Sequence, residues 1–161
     1  LGGNFSYTPS EYTESLLFND PSQSAVPGSL YPDYVDLVQD IKGNQVLQVP
    51  EGKFTAWGSY AFNLSGGSKI EVFSVYTWID EVYYSAFESD IDKADAYDRT
   101  DLRATWTSAD DKWVVSGFVN NIFDDVGNLQ ILRQGEAEFF RHTSGTTVPR
   151  LYGMEFTYRY Q

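Results

Sequence analysis

The chain has 161 residues, no cysteine, and 23 acidic against 11 basic side chains, for a formal charge of -12 and a pI near 4.3. That balance excludes a nucleic-acid surface, which needs clustered Lys and Arg, and the missing thiols exclude disulfide frameworks and thiolate metal sites. No run reaches the ~20 apolar residues of a spanning helix, yet aromatics make up 17% of the chain while mean hydropathy is only -0.38.

Leu1-Gly-Gly-Asn-Phe-Ser-Tyr7 lacks the charged and apolar regions of a signal peptide and reads as mid-strand sequence, with Phe5 and Tyr7 opposing Asn4, Ser6 and Thr8. The expectation is a mature chain or, by preference, a piece of a longer one. Residues 15 to 52 form a long Gly-, Asp-, Ser- and Pro-rich connection. Within it Tyr34, Leu37, Val38 and Ile41 fall at helical spacing, predicting one or two helical turns ended by Gly43-Asn44.

From Lys53 to Leu64 the even positions Phe54, Ala56, Gly58, Tyr60, Phe62 and Leu64 oppose Lys53, Thr55, Ser59 and Asn63, with Trp57 as the exception. Ser65-Gly66-Gly67 is hairpin chemistry. Lys69 to Tyr84 sets Ile70, Val72, Tyr76 and Trp78 against Lys69, Glu71, Thr77 and Glu81, blurred by Phe73, Val75 and Ile79. A second long connection, residues 85 to 96, leads to Tyr97–Ser108, where Leu102, Ala104 and Trp106 oppose Arg99, Asp101, Arg103, Thr105 and Thr107.

Ser108-Ala-Asp-Asp111 is a second tight turn, followed by Lys112 to Phe123 with Trp113, Val115, Gly117 and Val119 on one edge and Val114 and Phe118 out of phase. Residues 124 to 149 form the third long connection. The last segment, Arg150 to Tyr160, puts Tyr152, Met154, Phe156, Tyr158 and Tyr160 on one face and Gly153, Glu155, Thr157 and Arg159 on the other. Long and short connections therefore alternate, and several strands have the ~9 to 11 residues needed to cross hydrocarbon at a tilt. The pattern predicts an all-β, antiparallel, up-and-down transmembrane barrel wall, with aromatics toward lipid and charges toward a wet lumen.

Catalytic signatures are missing. His142 is the lone histidine, no G-x-S-x-G, H-E-x-x-H or phosphate-cradling glycine loop occurs, and Asp110-Asp111 and Asp124-Asp125 read as solvated turns. Glu88, Asp90, Asp92, Asp95 and Asp98 lack the EF-hand spacing and read as a plain acidic outer loop, so neither a metal nor a cofactor is expected. The Asn4-Phe-Ser6 and Asn63-Leu-Ser65 sequons carry no meaning within such strands. Ligand contact from the outer loops falls to Tyr83, Tyr84, Phe87, Arg133, Phe140, Arg141 and His142, with packing within the loop as the alternative; Phe139 lies beside them.

Four stretches carry a resemblance. Gly43-Asn-Gln-Val-Leu-Gln-Val-Pro50 with Lys53-Phe-Thr-Ala-Trp-Gly-Ser-Tyr60, then Asp80-Glu-Val-Tyr-Tyr84 with Tyr97-Asp-Arg-Thr-Asp-Leu-Arg103, are followed by Trp113-Val-Val-Ser-Gly-Phe-Val-Asn-Asn-Ile-Phe-Asp-Asp125 and Pro149-Arg-Leu-Tyr-Gly-Met-Glu-Phe-Thr-Tyr-Arg-Tyr160. In this order they resemble the C-terminal part of the barrel of TonB-dependent outer-membrane receptors. The resemblance implies that residues 1–161 supply the last six strands of a barrel of about 22, in the outer membrane of a Gram-negative bacterium, with the C-terminus in the periplasm. It further implies non-enzymatic import of a scarce, bulky nutrient such as an iron chelate carried by a siderophore, a cobalamin or an oligosaccharide. The implied partners are outer-membrane lipid and lipopolysaccharide, the remaining barrel and plug, TonB through an N-terminal part, and the nutrient itself. Two features depart from the pattern: Gln161 follows the terminal aromatic, and the plug domain and TonB box have no counterpart in these residues. The rival expectations are a soluble β-sandwich that binds glycans, and a smaller closed barrel acting as an adhesin or enzyme.

Overall fold

The computed structural model describes residues 1–20, 38–134, 138–139 and 141–160. Twelve strands appear among them: β1 (Gly2–Tyr7), β2 (Leu17–Asn19), β3 (Val38–Asp40), β4 (Gly52–Asn63), β5 (Lys69–Ile79), β6 (Val82–Tyr83), β7 (Lys93–Ala94), β8 (Tyr97–Thr107), β9 (Trp113–Asn120), β10 (Asn128–Arg133), β11 (His142–Thr146) and β12 (Leu151–Tyr158). The only helical element described is a single 3-10 turn at Asp90–Asp92.

Six strands form one antiparallel sheet in the order β1-β4-β5-β8-β9-β12, each paired with its neighbours along the chain. The alternation of the sequence sets this register, because a one-residue slip would turn every apolar side chain to the opposite face. Both short connections lie at one end of the sheet. In the first, Leu64 donates to Ser68 at 2.8 Å and Gly66 and Gly67 adopt positive φ; in the second, Ser108 donates to the Trp113 carbonyl at 2.9 Å. All three long connections leave the other end.

The two faces differ in kind. One carries Tyr60, Phe62, Trp106, Trp113 and Tyr158 toward the short-turn end and Phe5, Tyr7, Phe54, Tyr76 and Trp78 toward the long-loop end. Val72, Leu102, Ala104, Val115 and Val119 lie between these two belts, and Asp98, at the loop end, is the one charged residue in register with this face. The opposite face holds Lys53, Lys69, Glu71, Arg99, Asp101, Arg103 and Glu155.

The out-of-phase residues Trp57, Phe73, Val75 and Phe118 fall on this charged face, where two of them cover glycines of the outer strands. A Cβ on Gly153 would lie 2.6 Å from the Phe118 ring, and one on Gly2 would lie 2.6 Å from the Trp57 indole. Each glycine therefore admits an aromatic ring laid flat against the neighbouring backbone.

No apolar side chain of the six-stranded sheet is fully buried. Among the described residues the buried apolar ones are Ile41, Val82, Ala94 and Ile131, all in the long connections, whereas Tyr152 is 77% and Phe156 70% exposed. Three two-stranded sheets, β2-β3, β6-β7 and β10-β11, build those connections. The expected helical turns are a correction: Val38 opens β3, paired with Asn19, and Ile41 donates to the Leu16 carbonyl, while Tyr34 and Leu37 lie outside the described residues. The predicted strand Lys69 to Tyr84 also breaks: β5 ends at Ile79, Asp80 makes the last bond to β4 by donating to the Gly52 carbonyl at 3.0 Å, and Val82–Tyr83 pair instead with Lys93–Ala94.

Candidate functional site

The three long connections meet above the sheet. The first and second are joined by the Gln48 amide donating to the Tyr83 carbonyl at 2.8 Å, the Asn44 side chain to Ala86 at 2.8 Å, and the Gln45 amide to Glu88 at 2.5 Å. The second and third share a small apolar core of Val82, Ala94 and Ile131, against which Tyr84 packs while its hydroxyl donates to the Leu129 carbonyl at 2.5 Å. Burial pushes the Tyr83 and Tyr84 phenols above their ordinary range.

Arg133, the last residue of β10, faces all three connections. Its Nη2 donates to both oxygens of Asp20 at 3.1 and 3.4 Å and lies 3.5 Å from Asp92, while Nη1 donates to Ser89 at 3.3 Å. Asp20 and Asp92 are each only 2% exposed. Asp92 Oδ2 has no hydrogen-bond partner among the described residues, and burial holds its carboxyl above the ordinary range against the opposing pull of Arg133. A solvated acidic loop does not describe this residue, so that expectation is corrected at Asp92. Among the described residues no three acidic or histidine side chains are arranged to hold a metal ion.

The other residues expected at the ligand face divide. His142 pairs with Arg133 across β10-β11 and its Nε2 lies 3.1 Å from the Ile91 carbonyl. Arg141 donates to Gln134 at 2.8 Å, and the Phe87 amide donates to the Ser85 hydroxyl at 3.2 Å. Phe140 lies outside the described residues. Tyr84, Arg133 and His142 thus each tie the second connection to the third, whereas the Arg141 side chain bonds within the third.

The upper end of β9 is fixed by Asn121, which was not among the residues expected to contact a ligand. Buried to 1% exposure with φ at 54°, it donates through Nδ2 to Asp125 at 2.7 Å and to Val148 at 3.3 Å, accepts from the Asp125 amide at 3.0 Å, and donates its own amide to Asp101 at 2.8 Å. Asp125 in turn accepts from the Asp98 amide at 3.1 Å, and Asp124 from the Arg150 amide at 2.7 Å. The two aspartates therefore cap the turn by accepting from backbone amides.

Below the loops, the charged face carries a concavity of about 360 Å³ lined by residues including Phe73, Val75, Asp101, Arg103, Phe118 and Glu155. Its charges are neutralised in place. Arg99 binds Asp101 through two hydrogen bonds of 2.8 and 3.0 Å, and Arg103 pairs with Glu155 while its guanidinium stacks 5.9 Å from the Phe118 ring centre. Such a wall offers flat aromatic surface with polar groups already satisfied. Comparison with protein-family models, characterised proteins and solved structures finds no match to this chain.

Proposed function

We propose that this chain forms the C-terminal six strands of a larger outer-membrane barrel of about 22 strands that imports a bulky nutrient by TonB-coupled transport. The observation that carries the reading is the bare aromatic face: two belts of Phe, Tyr and Trp flank an aliphatic band without a charge between them, and no apolar side chain of the sheet is buried. Belts of this kind suit the two water–lipid interfaces, where an amphipathic ring places its apolar body in hydrocarbon. The eight steps from Phe54 to Phe62 span roughly 27 Å of strand and, at ~40° tilt, roughly 20 Å of height, near the ~25 Å band of such barrels.

β1 and β12 each have one partner in the sheet. An unpaired edge in hydrocarbon leaves backbone groups unsatisfied at several kcal/mol each, so these six strands need further strands to span a membrane. Charge distribution fits an outward loop end: residues 8–51, 80–96 and 121–149 hold 17 of the 23 acidic residues and four of the 11 basic ones, leaving the strands and short turns nearly neutral. The rival soluble glycan-binding sandwich requires a second sheet over the aromatic face, and the exposure of Tyr152 and Phe156 favours the barrel.

Because the chain lacks cysteine, topology can be tested by single introduced thiols. Glu138→Cys in the third long connection should react with a membrane-impermeant maleimide on intact cells, whereas Ala109→Cys in the short turn should react only after the outer membrane is opened. Labelling of both on intact cells, or recovery of a monodisperse chain without detergent, refutes the assignment. Uptake of the nutrient should also cease when TonB is removed.

A further inference from the structure

Four aromatic rings stand on the charged face of the sheet, and three of them roof glycines: Trp57 over Gly2, Phe118 over Gly153 and Tyr97 over Gly127. Phe73 roofs none. It is 38% exposed and forms one side of the concavity of about 360 Å³, a volume within the range of small-ligand sites. A ring held bare on a polar face adds little to the sheet and suits contact with something the sheet does not contain.

The polar groups around it define that contact. In its row Phe73 neighbours Arg103, whose guanidinium pairs with Glu155, and the Arg99–Asp101 pair lies one row nearer the loops. Each charge is answered, so the concavity has no spare cation for an anionic cargo and no spare carboxylate for a cationic one. The acidic loop end, through which cargo enters, repels an anion further. Though Arg103 and Glu155 have each other, the single contact leaves most of the guanidinium's N–H donors and one carboxylate oxygen to spare, and Asn120 on the same rim adds an amide that both donates and accepts. A flat apolar ring beside mixed donors and acceptors of zero net charge is the complement of a sugar, whose C–H face lies on a ring while its hydroxyls donate and accept at once.

We infer that Phe73, Arg103, Glu155 and Asn120 form a wall subsite for a pyranose unit of a neutral oligosaccharide, with Phe73 as the stacking face and the other three as hydrogen-bonding partners of the hydroxyls. The inference rests on the barrel reading, which turns this face toward the lumen, and it narrows the cargo from a bulky nutrient to an uncharged glycan.

The test measures binding of maltohexaose and cellohexaose to the intact receptor by calorimetry, in a detergent without a sugar headgroup. At least one should bind saturably. Phe73→Leu, which keeps an apolar side chain and removes the ring, should weaken that binding about tenfold, whereas Phe73→Trp and Thr157→Ala, the latter on the same face outside the concavity, should leave it within about twofold. Glu155→Gln frees the Arg103 charge and should lower binding of the neutral sugar while admitting hexagalacturonate, an anionic sugar of equal length that the parent should refuse; this variant decides the matter where Phe73→Leu does not assemble. Binding of neither neutral hexaose, equal binding by the parent and Phe73→Leu, or a parent that prefers hexagalacturonate overturns the subsite. Thiol labelling separates this failure from that of the barrel: with Glu138→Cys reactive and Ala109→Cys silent on intact cells the barrel stands and the subsite alone falls, whereas labelling of both removes the barrel and the subsite with it.

Discussion

Replacing Phe156 by Arg isolates the physical difference between the two faces. Phe156 closes the row Phe62, Ile70, Trp106, Val115, and it is 70% exposed on a face without nearby charge. Its neighbour Thr157 closes the row Asn63, Lys69, Thr107, Val114 on the opposite side. The apolar stretch of β12 runs from Tyr152 to Tyr158, so Phe156 lies one step from its centre, about 3 Å along the strand. A cation placed there in hydrocarbon costs about 2–4 kcal/mol, a loss of roughly thirty- to several-hundred-fold in the folding equilibrium. Thr157→Arg, facing water and polar neighbours, should stay within ~0.5 kcal/mol. Denaturant titration of the intact barrel in lipid vesicles reads both values. Equal effects at the two positions refute lipid contact, and a larger effect at Thr157 reverses the assignment of the faces.

Asn121→Ala removes three side-chain hydrogen bonds from a fully buried turn, and should lower stability by about 2–3 kcal/mol with faster exchange of the Asp98 and Asp125 amides, measured by hydrogen exchange. The Asn121 backbone amide remains, so its bond to Asp101 should weaken less than the side-chain bonds. Tyr84→Phe deletes the bond to Leu129 and should cost about 1 kcal/mol, confined to the second and third connections. The Ser108 hydroxyl, then the Lys112 amide, hold the Asp110 carboxyl below its usual 3.8, so the turn is stabilised above that value and loses the contribution as pH falls through the lowered pKa; Ser108→Ala should raise the Asp110 midpoint in an NMR titration.

All six long strands were legible because period-two alternation over six to twelve residues is a strong signal, and their ends differ from the expected ones by a few residues. Trp57, Phe73, Val75 and Phe118 looked like noise in that pattern. Their reason is cross-strand: Phe118 covers Gly153 and stacks with Arg103, and Trp57 covers Gly2, relations that no local window contains. The short strands were illegible for a similar reason, since two residues such as Val82–Tyr83 have no period and are strands only because Lys93–Ala94 lie opposite. Helical spacing misled at Val38 and Ile41, the two described positions of that pattern, because an apolar pair three residues apart also suits a strand followed by a turn. Among the site residues, Tyr84, Arg133 and His142 were chosen as ligand contacts, and each instead ties the second connection to the third. Asp20 and Asp92 were passed over because an aspartate reads as solvated until its partner is known, and the partner of Asp20 is 113 residues away.

The rings roofing Gly2 and Gly153 bear on how the sheet comes apart. In this sheet taken without the further strands of a closed barrel, the marginal strands would peel first, since water can reach their ladder bonds from the side and replace them one by one. Here an indole and a phenyl lie like shingles across the seams to β1 and β12, so each outermost ribbon must lift an aromatic plate before its bonds are wetted. Unzipping should then begin at the bare tips of these ribbons and stall beneath the plates, giving the assembly a grip on its flanks that pairing alone does not provide.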